Sequence, residues 1–320
     1  MERVAILGLG LIGTSLGLAL QRLPRPPRVT GYDRDPAARA RAASRHAIDR
    51  AALTPQDAVA DTDLVVLATP VRTIIPLLGE IAPCLRPDAV VTDTGSTKAA
   101  IVAAAAERFP EVPFVGGHPM AGRLTQGTDE ADAALFDGTV YCLTPTASTP
   151  EAAIARVVAL VEAVGARPHF VAPVEHDGLV AAISHLPYLL ASTLMASVAA
   201  EAGWPEMALL AAGSFRTMTR LVDAEPTMYA DICLTNREAI LRQLDHYLAA
   251  LEAVREAIRA GDEGLGERFA AIRDCYRAWL RQREQGEALT SPEAELRGPS
   301  LFLPAKWQDL LLGRRPRPDR

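Results

Sequence analysis

Through residues 1–172, short apolar runs alternate with longer stretches of helical periodicity. The runs fall at residues 4–7, 28–32, 64–68, 89–92, 114–116, 140–143 and 169–171. Several are almost uninterrupted Val, Ile and Leu, the composition of strands covered on both faces. Residues 13–22, 36–45, 98–108 and 151–164 read as the intervening helices. This alternation predicts an α/β domain, a Rossmann-type doubly wound parallel sheet with crossover helices. Beyond Pro173 the strand signal stops, and Ala/Leu-rich stretches follow, broken at Gly203-Trp204-Pro205, Glu225-Pro226 and residues 261–266. An all-α C-terminal domain is therefore expected over 173–286. Ile232, Ile240, Leu244, Leu248, Leu251 and Ile258 recur there at helical spacing, a face able to pack while Arg237, Glu238, Arg242 and Glu252 are solvated. From residue 287 the chain turns to Pro, Arg and Glu and reads as a tail, 287–320.

One stretch complicates the pattern. Residues 178–200 contain no Asp, Glu, Lys or Arg and are long enough to cross a bilayer. His185, Pro187 and several Ser and Thr interrupt them, so the expectation is a buried or subunit-interface helix and no membrane span. That much apolar helix on a lone chain would leave a sticky patch, which predicts a homodimer through the helical domain.

Charge narrows the partners. The 33 Lys and Arg against 39 Asp and Glu give a net −6, so no overall positive field exists to hold nucleic acid or an anionic membrane. Cys84, Cys142, Cys233 and Cys275 are scattered, with no pair or Cys/His cluster at metal-ligand spacing. No metal is expected, and such thiols suit a reducing cytoplasm. The opening MERVAILGLGLIG enters an apolar run after two charged residues and reads as a first strand, not a leader.

Gly8, Gly10 and Gly13 make a G-x-G-x-x-G turn between that strand and a helix. Glycines permit the tight turn and the close approach of backbone to a pyrophosphate, and the helix start at Leu11 and Ile12 offers N–H donors to it. Asp33 follows 20 positions after Gly13, where a ribose-binding carboxylate belongs. A carboxylate there accepts from both ribose hydroxyls and repels a 2′-phosphate, favouring NAD over NADP. Arg34 could pair with that phosphate and keeps NADP open, and Asp33 could also be a simple turn or capping carboxylate before Pro36. Thr69-Pro70, the 93–98 segment and the 117–122 segment follow other strands, so Ser96, Lys98 and His118 converge near the nicotinamide. His118 can take a proton from a substrate hydroxyl as hydride leaves, although a lone loop histidine is often incidental.

GLGLIGTSLGLAL, ATP, DTGSTK, GGHPMAG, ISHLPY and SFRTMTR, in this order, resemble the prephenate/arogenate dehydrogenase family of tyrosine biosynthesis over residues 1–286. The resemblance implies oxidation of a ring C4 hydroxyl by NAD(P) with loss of the ring carboxylate as CO2. It implies that His118 takes or polarises that hydroxyl, that Ser96 orients it, and that Arg220 binds a substrate carboxylate. Arg216 lies four residues before Arg220 on the same helix face, and two guanidiniums suit a dicarboxylate. An ion-pair stripe with Asp223 and Glu225 is the competing reading. Ser184, His185 and Tyr188 would line the substrate cleft between the two domains, with His176 and Asp177 near it. Many prephenate users have a histidine where Tyr188 stands, and some an acid where Leu124 stands. The 122–127 stretch also resembles arogenate users, so prephenate is the first expectation and arogenate the alternative. Another Rossmann dehydrogenase, such as a β-hydroxyacid dehydrogenase or pyrroline-5-carboxylate reductase, is a rival; the former would place a lysine in 178–200, which has none. A non-catalytic NAD-sensing module is the rival of a different class. Allosteric control by tyrosine through a regulatory domain after residue 286 is not expected.

Overall fold

The computed structural model describes residues 1–122 and 127–285. Strand β1 (Arg3–Leu7) leads into helix α1 (Leu11–Gln21), β2 (Arg28–Tyr32) into α2 (Pro36–Ser44), and a two-residue β3 (Arg50–Ala51) into α3 (Pro55–Val59). β4 (Leu64–Leu67) is followed by α4 (Val71–Ile81), β5 (Val90–Asp93) by α5 (Ala99–Arg108). β6 (Phe114–Pro119), β7 (Val140–Thr144), α6 (Glu151–Ala163) and β8 (Arg167–Phe170) complete an eight-stranded sheet of order β3-β2-β1-β4-β5-β6-β7-β8. Every neighbouring pair is parallel except β6 and β7, where His118 lies opposite Cys142.

The chain leaves β1 toward β2 and β3, then returns to the other side of β1 with β4. Strand order reverses there, so a crevice opens beyond the carboxyl ends of β1 and β4, where open α/β sheets bind ligands. Alternation along the strands fills both layers. Val4, Ile6, Leu64 and Val66 meet Leu16, Leu20, Val157 and Leu160 on one face. Ala5, Leu7, Val65 and Leu67 meet Ile74, Leu78, Ile81 and Ile101 on the other. The predicted parallel sheet and its Val/Ile/Leu strands are thus found as read.

Three elements have no counterpart in the sequence reading. β3 is too short to show alternation, and α3 is one turn, held by Thr54, whose hydroxyl accepts from the Asp57 amide. α4 has Pro76 in its interior, which masks the helical spacing of its buried Val71, Ile74, Leu78 and Ile81.

The rest is helical, as expected: α7 (Pro173–Val180), a π-helical turn Ala181–His185, α8 (Leu186–Ala199), α9 (Trp204–Leu210), α10 (Gly213–Thr219), a 3-10 turn Arg220–Asp223, α11 (Pro226–Thr235), α12 (Arg237–Arg259) and α13 (Leu265–Gln285). The 178–200 stretch is therefore not one α-helix. Pro187 has no N–H to give the preceding turn, and the wider π turn absorbs that break. Nor is it buried within this chain: Pro173–Ala199 is long and apolar enough to cross a membrane, yet only 22% of its most apolar window is covered. The stripe expected to pack along α12 is likewise open, with Leu248, Leu251 and Ile258 more than half exposed. The chain divides into two compact units, Met1–Ile240 and the part from Leu241 onward. The sheet and the helices from α1 to α11 belong to the first.

Candidate active site

The β1–α1 turn is built for close approach. Gly8 has φ +100°, and a Cβ there would sit 2.3 Å from the Ala68 carbonyl oxygen; a Cβ on Gly13 would sit 1.9 Å from that of Gly8. A Cβ on Gly10 would meet nothing within 4 Å, so space lies open at the start of α1. No side chain caps that helix and no acid stands in its first turn, so the amides at Leu11 and Ile12 face an uncompensated positive end. Asp33 ends beside them: its Oδ2 accepts from the Leu9 amide at 2.8 Å and its Oδ1 from the Asp35 amide at 2.9 Å. Asp35, not Asp33, caps α2 through the Ala37 amide. Across the crevice Thr69 carries a buried hydroxyl with no partner, and Pro70 precedes α4. An uncapped helix start, an open glycine, a fixed carboxylate and an orphaned hydroxyl fit a dinucleotide with a free 2′-hydroxyl. Arg34 is exposed.

Beyond β5 and β6 lies a denser polar cluster. Nδ1 of His118 is 2.9 Å from Nε2 of His176, and Nδ1 of His176 is 2.8 Å from Oδ1 of Asp177. That carboxylate also accepts from the amides of Lys98 at 2.7 Å and Ala99 at 2.9 Å, the start of α5. Asn236 donates its side-chain amide to the Asp177 carbonyl at 2.8 Å and lies 3.3 Å from Nδ1 of His185. His118 is half-buried, whereas His176, Asp177 and His185 are buried.

Lys98 is the one convergent residue the structure turns away from the crevice. It is fully buried, its ammonium paired with Asp93 and donating to the Gly117 carbonyl at 2.8 Å. Asp93 in turn accepts from the amides of Gly95 and Gly117. The pair thus pins the strand that carries His118 to the loop that carries Ser96, which is itself half-buried. Burial pulls the Lys98 pKa below the ordinary lysine value, against the pull of Asp93.

Ser184 and His185 occupy the π turn. Tyr188 stacks on Tyr229 of α11 at 3.5 Å, the rings nearly parallel. Arg216 and Arg220 lie in α10 and the turn after it, both of which pack on α8. Both guanidiniums are exposed and form no ion pair among the described residues. The competing stripe with Asp223 and Glu225 does not form, because Glu225 instead accepts from the Thr227 amide at the start of α11. No hydrogen bond joins these arginines to the His118 cluster. Leu124 and the centre of the 122–127 stretch lie outside the described residues, as does the 287–320 tail. Asn236, Tyr229 and Asp93 were not anticipated from sequence: Asn and Tyr on helices carry no spacing signal, and Asp93 is legible only as the acid opening DTGSTK.

Burial, His176, Lys98 and His185 together hold His118 well below the ordinary histidine pKa. Burial lowers His185 to about 4, with Asp177 opposing. Both imidazoles bind fewer protons folded than unfolded, so their contribution to stability is complete above pH ~6.5 and is lost as pH falls from there through their lower folded values. For His185 the shift corresponds to ~3 kcal/mol once pH reaches the folded value. Urea titrations at about pH 7.5 and 5 should show a lower midpoint in acid, and a smaller difference in His185→Asn; equal midpoints for the parent protein would contradict this coupling.

Two family descriptions match: "Prephenate dehydrogenase, nucleotide-binding domain" over residues 16–170 and "Prephenate dehydrogenase, dimerization domain" over residues 172–272. The cyclohexadienyl dehydrogenase of Zymomonas mobilis is 36% identical over 263 residues, 82% of this chain and 90% of that protein. The prephenate dehydrogenase of Bacillus subtilis is 34% identical over 89% of this chain and 78% of its own. The crystal structure of A. aeolicus prephenate dehydrogenase in complex with hydroxyphenyl propionate and NAD+ superposes with TM-score 0.81 at 29% identity, covering 87% of this chain and 98% of that one.

Proposed function

Since the chain belongs to the prephenate dehydrogenase family and is an NAD-dependent dehydrogenase, we propose that it oxidises prephenate to 4-hydroxyphenylpyruvate, releasing the ring carboxylate as CO2. Residues 1–172 hold the dinucleotide and residues 173–286 supply substrate-binding and dimer surfaces, a division supported by the two family matches. Gly8, Gly10 and Gly13, with the amides at Leu11 and Ile12, receive the pyrophosphate, Asp33 the adenine ribose, and Thr69 and Pro70 border the path toward the nicotinamide. Bound NAD supplies the acceptor for the hydride that leaves C4.

His118 takes the C4 hydroxyl proton, and Ser96 orients that hydroxyl. Arg220, with Arg216, holds a substrate carboxylate, while Ser184, His185 and Tyr188 border the substrate. The observation that carries this reading is the imidazole of His118 at the carboxyl end of β6, kept neutral near pH 7 by burial and surrounding imidazoles and ammonium. A base must be unprotonated to act, and a lowered proton affinity favours that state in His118.

Arogenate is the second reading, favoured by Tyr188. A neutral stacked phenol pair stands where many prephenate users have an imidazole, and an aromatic face can meet the ammonium of the arogenate side chain. NADH formation with each substrate, under NAD and under NADP, tests both: a higher kcat/KM for prephenate with NAD is expected. A higher value for arogenate would transfer the assignment, and silence with both from protein that binds NAD would remove it.

We also infer a homodimer through the helical segment. The uncovered apolar side chains Val174, Leu179 and Ile183 and the dimerization-domain match support it. Four free thiols accord with a cytoplasmic enzyme.

A further inference from the structure

We propose that Asp177 and His176 fix the tautomer of His118, so that its Nε2 is the atom able to accept a proton. The inference rests on the reading of His118 as the base of the dehydrogenation.

The relay starts at Asp177. Its carboxylate accepts from two backbone amides at the start of α5, at 2.7 and 2.9 Å, where the helix end favours a negative charge. An ionised carboxylate only accepts, so the 2.8 Å contact requires His176 to donate from Nδ1. In a neutral imidazole the other nitrogen is then an acceptor. Nε2 of His176 lies 2.9 Å from Nδ1 of His118, so His118 donates there and its proton sits on Nδ1. The two rings meet edge to face, at 69° and 5.1 Å between centroids, which suits an in-plane N–H of one ring reaching a lone pair of the other.

Without this chain the His118 proton could rest on either nitrogen, and on Nε2 it would bar proton transfer. With the relay, the C4 hydroxyl proton passes to Nε2 of His118 while the Nδ1 proton stays in its bond to His176. The resulting imidazolium faces Asp177 through the His176 ring. Asp177 and His176 are thus positioning residues and do not touch substrate.

The other groups facing His118 do not supply this order. Lys98, from the start of α5, and His185, from the π turn, lower its proton affinity without bonding to it, and Asp93 is taken up by Lys98 and backbone amides. Asn236 holds the main chain of Asp177 in place from the end of α11.

Two measurements test the relay on the full chain. Long-range 1H–15N correlation spectra at mildly alkaline pH, assigned with His118→Asn, report which nitrogen of His118 is protonated. Protonation on Nδ1 is expected, and protonation on Nε2 overturns the proposal. In kinetics, His176→Leu should lower kcat by ~10²-fold with KM and NAD affinity nearly unchanged, since a misplaced tautomer disables a base without unbinding its ligands. His176→Gln, whose side-chain oxygen can accept from Nδ1, should recover most of that loss. A purely structural role would instead reduce both variants alike, together with NAD binding, and would leave the His118 tautomer unaltered. An active parent protein with full turnover in His118→Asn would sink the base assignment itself. An active parent protein, dependent on His118 but protonated at Nε2, would sink the relay alone.

Discussion

Replacing His118 with Asn is expected to lower kcat by ~10²–10⁴-fold, the range for loss of a general base, while NAD binds as before. Asn is the informative substitute because its amide falls near the position of Nδ1. It can therefore keep a hydrogen bond to Nε2 of His176, 2.9 Å from the parent nitrogen, and the packing of β6 against β7 at Cys142 stays intact. Nothing in Asn replaces Nε2. The pH profile should change as well as the rate. In the parent protein the acid limb of kcat/KM should fall well below the ordinary histidine value, because burial and the neighbouring His176, Lys98 and His185 oppose a charge on the ring. In His118→Asn that limb should vanish. Titrating NAD by fluorescence alongside steady-state rates separates the outcomes: unchanged turnover removes His118 from the chemistry, and a loss that tracks NAD affinity points to misfolding. The same experiment decides against the NAD-sensing alternative, in which His118 would be incidental.

The cofactor half of the site was open to sequence reading because its parts are contiguous. Strand, glycine turn, helix and the acid at Asp33 lie within 33 residues, and each imposes a local constraint that composition reveals. Strands β1, β4 and β5 were legible for the same reason, since strands buried on both faces carry an almost pure Val/Ile/Leu signal. The catalytic half was only partly so. His118 could be singled out by its place after a strand, but its partner His176 is 58 residues away and Asn236 a further 60, and no spacing rule links them. Lys98 was expected with Ser96 and His118 near the nicotinamide; sequence does not show which way a strand-end lysine turns, and the fold buries its ammonium against Asp93 and the Gly117 carbonyl. The π turn escaped because Ala, Ile and Ser carry the same pattern in either kind of helix, and only Pro187 marks the break. The apolar stretch 178–200 was read as a buried or subunit-interface helix, and because most of it is uncovered within this chain only the second alternative is left.

Arg220→Ala should raise KM for the substrate by ~30–5,000-fold and leave kcat and NAD affinity largely unchanged. Arg220 is uncommitted among the described residues. It is exposed at the end of α10 and forms no ion pair among the described residues, and Glu225, the acid nearest in sequence after Asp223, is committed to the start of α11. A guanidinium without a resident partner needs no exchange of partners to meet an incoming carboxylate, and its fork can grip that carboxylate at two points. Removing one member of a charged hydrogen-bonded pair costs about 2–5 kcal/mol, which sets the fold-change. The carboxylate that does not depart as CO2 keeps its charge from ground state to transition state, so its contact contributes about equally to both, and the loss should appear in KM rather than kcat. Arg220→Lys keeps the charge but not the fork and should recover only part of the affinity. If KM rises no more than a few-fold in Arg220→Ala, the carboxylate is held elsewhere, and Arg216→Ala becomes the decisive variant. If NAD affinity falls in step with substrate affinity, the turn after α10 supports α8 and its Tyr188 rather than gripping the substrate.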